Sequence, residues 1–200
     1  MLKKAFVFTL CAAALVTGCT SGITVKRGEF AHMELEPVLK NSRMNLKLVR
    51  FADNRRPESL AHDTEQNVIY EYTPDKILQG VVPHLQSIFQ RYLTGARDNS
   101  EDVFLEVELK HIRTVIRTGR MFTGRGGEYQ VEMEVRAIAR HGDSKVFMDE
   151  KYTAESFERR ELEGGRHPSI QQDRKNMLLL VERTTHDLLQ QIASKARRKM

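Results

Sequence analysis

Between Glu128 and Arg140 apolar and polar residues alternate. Tyr129, Val131, Met133, Val135, Ala137 and Ala139 are separated by Glu128, Gln130, Glu132, Glu134, Arg136 and Arg140. Successive side chains on a strand point to opposite faces, so this pattern fixes a strand buried on one side and wet on the other. It needs paired neighbours and a layer over its apolar face. The flanking sequence supplies the neighbours. Val103, Leu105, Val107 and Leu109 alternate with Phe104, Glu106, Glu108 and Lys110, and the pattern runs on towards Ile116. After His141-Gly142-Asp143-Ser144, a tight turn, Val146 to about Phe157 returns as another strand. The three are expected to form an antiparallel meander.

Two helices are expected to supply the layer. Thr73-Pro74-Asp75 is a helix start: Thr73 caps, Pro74 takes the first helical position, and Asp75 complements the dipole. Ile77, Leu78, Val81, Leu85, Ile88, Phe89 and Tyr92 follow at helical spacing. Pro83 predicts a kink, and Gly95 the end of the helix. Pro168-Ser169 opens the second helix, with Ser169 and Gln172 spaced as a capping box. Its stripe is Met177, Leu180, Val181, Thr184, Leu188, Ile192 and Ala196. Met44–Phe51, closed by Ala52-Asp53-Asn54-Arg55-Arg56-Pro57, reads as a first strand, and Asn67–Tyr72 as a short second one. The expected fold is therefore α+β: an antiparallel-rich sheet of four to five strands with two helices packed on one face. A crossover through the first helix would set the first strand beside the meander.

The start of the chain is of a different kind. Lys3 and Lys4 precede an apolar run, Ala5–Val16, and then the small residues Thr17 and Gly18. This is the order of an export signal, and the run is too short for a good transmembrane helix. Leu15-Val16-Thr17-Gly18-Cys19 resembles the lipobox of bacterial lipoproteins. The resemblance implies cleavage between Gly18 and Cys19 and acylation of Cys19. Several acyl chains make such an anchor stable where one binds only marginally. Thr20, where an Asp would favour inner-membrane retention in enterobacterial lipoproteins, implies the outer membrane. The expected organisation is a signal at 1–18, a lipidated N-terminus and tether at 19–42, and a single periplasm-facing domain at 43–200. Within the tether, an added edge strand around Phe30–Leu35 is the alternative to a flexible spacer.

Charge and cysteine content narrow the function. Without residues 1–18, 30 basic residues face 27 acidic ones, too weak an imbalance to suggest a nucleic-acid partner. The cysteines are Cys11, inside the signal, and Cys19, so the exported fold is expected to hold by its core without disulfides.

Thr118–Gly127 is glycine-rich but lacks the Gly-Lys-Ser/Thr of a phosphate loop, and it joins two strands. Its Arg117, Arg120, Met121, Phe122 and Arg125 instead make a candidate partner-contact surface, since arginine and aromatic residues are frequent interface anchors. No His pair has the short spacing of helical zinc motifs, and no serine sits in G-x-S-x-G. Glu106 with Glu108, and Glu132 with Glu134, each share a strand face. They read as a solvated face partnered by Arg136 and Lys110, not as acid–base pairs. The basic end, Lys195–Lys199, reads as a solvated helix terminus, with anionic lipid heads or lipopolysaccharide phosphates as the alternative contact. No catalytic residue, metal site or cofactor is expected.

The element order together with the lipobox resembles the small outer-membrane lipoproteins of the YajG type. The best points are Leu48-Val49-Arg50-Phe51-Ala52-Asp53-Asn54-Arg55 and the meander with its long terminal helix. The layout is also similar to the lipopolysaccharide-assembly lipoprotein and the auxiliary lipoproteins of lipid-transport ABC systems. The resemblance implies a non-enzymatic accessory or assembly subunit of an envelope complex, with an envelope protein as partner. A lipid- or lipopolysaccharide-binding module is the alternative.

Overall fold

The computed structural model describes residues 35–55, 70–71, 74–117, 127–142, 145–159 and 169–200. In chain order they form β1 (Met44–Asp53), β2 (Tyr70–Glu71), α1 (Pro74–Tyr92), β3 (Glu101–Arg117), β4 (Glu128–His141), β5 (Lys145–Arg159) and α2 (Ile170–Lys199). The fold is α+β with a mixed, mostly antiparallel sheet. Its strands run β1-β3-β4-β5, and β2 pairs with the far end of β3. β1 lies parallel to β3, with α1 between them in sequence, as the crossover reading required. The meander of β3, β4 and β5 is antiparallel throughout.

One apolar face of the sheet and the two helices make one core. Val103, Leu105, Val107, Leu109, Val131, Met133 and Val135 are all buried. They meet Leu85, Ile88 and Phe89 of α1 and Met177, Leu180, Val181, Leu188 and Ile192 of α2 in one cluster. α2 packs on β4 and β5, while α1 packs on β1, β3 and α2.

Three bulges adjust the phase of the strands. In β3 the register slips between Leu109 and His111, opposite Val135 and Glu134. Core-facing positions change there from odd to even, so that Leu109 and then Ile112 and Thr114 are buried. An extra residue in one strand has this effect because side-chain direction has period two. In β1 the slip lies between Leu48 and Arg50. It leaves Val49 55% exposed, which accounts for the stretch that reads apolar on both sides. In β5 Phe147 is the extra residue, and its ring stacks on His141 with centroids 4.3 Å apart.

Several element ends differ from the sequence reading. Ala52 and Asp53 continue β1 and are not yet turn. α1 is unbroken through Pro83 and ends at Tyr92; Gly95, at φ +84°, lies in the connection that follows. Ser169 caps α2 by accepting from the Gln172 backbone N–H at 3.2 Å. The reciprocal half of the expected capping box is replaced, because the Gln172 side chain donates to Asn176 at 3.0 Å. Thr73, most of the second predicted strand and Phe30–Glu34 lie outside the described residues.

Residues 35–42, inside the stretch read as tether, pack against the helices. Leu39 is fully buried. The Val38 N–H donates to the Tyr92 carbonyl at 2.9 Å, and the Asn41 N–H to the Gly95 carbonyl at 2.9 Å. The end of α1 is thus closed by the incoming chain, which satisfies carbonyls that a helix terminus otherwise leaves open.

Candidate functional site

The incoming segment, α1 and α2 enclose a polar network. Glu182, on the buried side of α2, has a fully buried side chain. It accepts from the Tyr92 hydroxyl at 2.7 Å and from Arg91 Nη1 at 2.7 Å. One turn further along α2, His186 packs edge-on to the Tyr92 ring, with centroids 4.9 Å apart. Its Nε2 lies 2.9 Å from the Glu36 carbonyl oxygen, so Nε2 carries the proton and donates. Burial, reinforced by the Glu182 carboxylate, pushes the Tyr92 hydroxyl well above its usual range. Tyr92 therefore stays a neutral donor at physiological pH.

Beside this network lies a cleft of about 420 Å³ lined by Glu36, Pro37, Val38, His186, Gln190, Ala193 and Arg197. One wall is the incoming segment, and the other is the side of α2 that carries the buried His186 and Ala193. Arg197 spans the cleft by donating to the Val38 carbonyl at 2.9 Å. His186 and Arg197 thus clamp the segment at Glu36 and Val38. One N–H of each is bonded to backbone, and the geometry is that of a strap holding the chain to α2.

The paired carboxylates lie in a lattice of ion pairs on the open face of the sheet. Arg50 and Arg140 flank Glu106 at 3.8 and 2.7 Å, and Lys47 pairs with Asp102. Glu108 receives Arg136 across the strand pair at 3.6 Å. It also receives Lys110 at 2.7 Å along its own strand, over the bulge and not across strands. Arg136 forks onto Asp149 with two bonds of 2.7 Å, and Lys151 reaches Glu134 at 3.3 Å. The donated hydrogen bonds hold Asp102, Glu108 and Asp149 below the usual carboxylate range. This is the solvated face the sequence predicted, and Asp102, Glu106, Glu108, Glu134 and Asp149 on it each meet a cation.

β5 closes one side of the sheet and, among the described residues, pairs on one side only. Lys151, Thr153, Glu155, Phe157, Glu158 and Arg159 along it are exposed. Phe157 keeps 48% of its surface in solvent. α2 touches this edge at two levels. Gln191 Nε2 donates to the Thr153 carbonyl at 3.2 Å, and Lys195 and Lys199 reach Glu150 at 3.3 and 2.6 Å. The Lys199 hydrogen bond, with Lys195 beside it, holds the Glu150 carboxyl low. Burial pushes neighbouring Tyr152 up to about 12, with Glu150 adding to the effect. Two cations of the basic C-terminus are therefore spent within the fold.

Arg117 is the last residue of β3, in register with Glu128. Arg120, Met121, Phe122 and Arg125 lie outside the described residues, as do Gly18 and Cys19. Among the described residues no group of three His, Cys, Asp or Glu side chains is placed to hold a metal ion. The strap and its clamp were missed in the sequence. Their only signal there was a Glu and a His within the apolar phase of α2, at Glu182 and His186.

No family model matches the chain, and no curated protein matches it in sequence. Among solved structures, the chain is similar to a minor lipoprotein from Acinetobacter baumannii. The match covers 74% of this chain and 92% of that one at 15% identity, with a TM-score of 0.39. A likeness of that size assigns neither family nor role.

Proposed function

We propose that this chain is a lipid-anchored protein of the bacterial cell envelope. Residues 1–18 direct export, Cys19 carries the acyl chains, and the α+β domain serves as a non-enzymatic accessory or assembly subunit. The observation that carries this reading is the ordered run of Lys3-Lys4, an apolar segment, Thr17-Gly18 and Cys19. Among the described residues no helix is long and apolar enough to cross a membrane, which leaves an acyl anchor as the attachment the sequence offers. Thr20 after the cysteine favours the outer membrane. The outer edge of β5, which no described strand pairs, supports docking, because a strand edge presents backbone groups that an extended partner can pair with.

Two measurements test this. Cys19→Ala should abolish incorporation of radiolabelled palmitate and move the protein out of the membrane fraction. Unchanged labelling would overturn the anchor. Crosslinking of the lipidated protein in intact cells, followed by mass spectrometry, should recover one dominant envelope protein at near-equal amount. Recovery of none would overturn the assembly role.

A second reading, binding of a lipid or lipopolysaccharide, is favoured by the cleft at Glu36–Arg197. Its polar lining suits a headgroup better than an acyl chain. Native mass spectrometry of the protein with lipopolysaccharide tests it, and the absence of any bound species would end it.

A further inference from the structure

Among the described residues no strand pairs the outer edge of β5, and the pattern along it is self-complementary. We propose that a second copy of this chain pairs there, β5 antiparallel to β5, about a two-fold axis at Thr153. The inference rests on β5 being a docking edge, and it leaves the segment Arg117–Arg125 for the envelope partner.

The register follows from charge. An axis normal to the sheet keeps solvated face beside solvated face. With the axis at Thr153, Lys151 of each copy stands opposite Glu155 of the other, and Tyr152 stands opposite Ala154. Neighbouring axes fail. At Lys151 that lysine meets itself; at Tyr152, Asp149 meets Glu155; at Ala154, Glu150 meets Glu158; at Glu155 that carboxylate meets itself. Like charges directly opposite one another are destabilising, and opposite charges stabilise the pair.

The helices agree with this register. α2 lies over both β4 and β5. Strands are spaced about 4.8 Å apart, so joining two β5 edges sets the two α2 axes roughly 10 Å apart, the distance at which helices pack. Gln191 contacts Thr153 and so lies near the same axis. Asp187 and Lys195 are one turn either side of it, and the two-fold brings Asp187 of one copy towards Lys195 of the other. In a single copy Gln191 occupies the Thr153 carbonyl. This exposed side chain must swing away for the strands to pair. The two-fold is isologous and uses the β5 edge of each copy once, so assembly closes at two copies and does not propagate.

Disulfide trapping of the full-length lipidated protein in intact cells tests the proposal, with the unsubstituted chain setting the background from Cys11 and Cys19. Thr153→Cys places the two thiols on the axis, at the spacing a disulfide accepts. A dimer band on a non-reducing gel is expected. Lys151→Cys sets its two copies roughly 13 Å apart along the strands and should give none. Lys151→Glu added to Thr153→Cys should weaken the band roughly tenfold, and Glu155→Lys added to both should restore it. A photo-crosslinking residue at Thr153 separates the two readings. Adducts to a different protein without self-adducts overturn the self-pairing and keep the docking edge. No adduct of either kind overturns both.

Discussion

Replacing Glu182 by alanine removes the centre of the network beneath the strap. The wild-type carboxylate is fully buried and receives two bonds of 2.7 Å. Arg91 keeps 38% of its side chain in solvent, so it turns to water at little cost. Tyr92 is buried and loses this acceptor. Removing an acceptor from a buried hydroxyl costs about 1–3 kcal/mol. The lost Cγ methylene adds about 0.8 kcal/mol. Relief from burying a carboxylate offsets part of this, so a net loss of about 2 kcal/mol is expected. For a domain of this size each kcal/mol shifts Tm by roughly 2–4 °C, which predicts a fall of roughly 4–8 °C. Thermal melts followed by circular dichroism read it directly. Tyr92→Phe alone should cost about 1 kcal/mol, since it removes the hydroxyl and leaves Arg91 in place. The double variant should show coupling of about 1 kcal/mol in a mutant cycle. A Tm within about 1 °C of wild type for Glu182→Ala, or strict additivity in the cycle, would refute the argument that this pair is structural.

Leu39→Ala, which empties a fully buried site in the strap, should cost about 2–4 kcal/mol in urea melts, whereas a solvated tether would show no change. Gly95→Ala should cost about 1–2 kcal/mol, because φ is +84° and the new Cβ would sit 3.4 Å from the Lys40 Cα. Gly142→Ala, at φ +53° with open space around it, should cost less in the same melts. Acid should weaken the fold through Asp53, Asp102, Glu108, Asp149 and Glu150, all held below their ordinary values by cationic partners. Depressed carboxylates contribute stability above their unfolded values of 3.8 and 4.5, and that contribution fades as pH falls through the folded ones. The urea midpoint should therefore drop below about pH 4.5. Tyr92 and Tyr152 are raised from 10.0, so they contribute stability that is lost as pH climbs above that value. A midpoint that holds level from pH 10 to 12 would contradict this.

Period-two alternation in β3 and β4, the helical stripes and the cap at Ser169 were legible because each follows from a local rule about which way side chains point. The charge lattice was legible in part for the same reason: alternate residues share a face, so Glu106, Glu108 and Arg136 had to lie on the wet side. The bulges at Val49, Lys110 and Phe147 were not. An extra residue is recognised by what stands opposite it, and register is a property of two strands. Gly95 misled because it is a left-handed residue near a helix end, while the helix actually stops where Val38 arrives to bond the Tyr92 carbonyl. Leu39 read as tether because Leu35, Val38 and Leu39 are too few to establish a period. It becomes core only when the segment folds back over α1 and α2. Packing of α1 on α2 likewise brings Tyr92 to Glu182 and His186, some 90 residues further along the sequence, and only that packing gives a buried acid its donors. The proposed export signal and Cys19 rest on the sequence alone, because a proposal about a cleavage and acylation signal is made from a short local run and needs no tertiary contact. The outer edge of β5, which no described strand pairs, belongs to the tertiary structure alone, because a strand is an edge only once the order of the sheet is set.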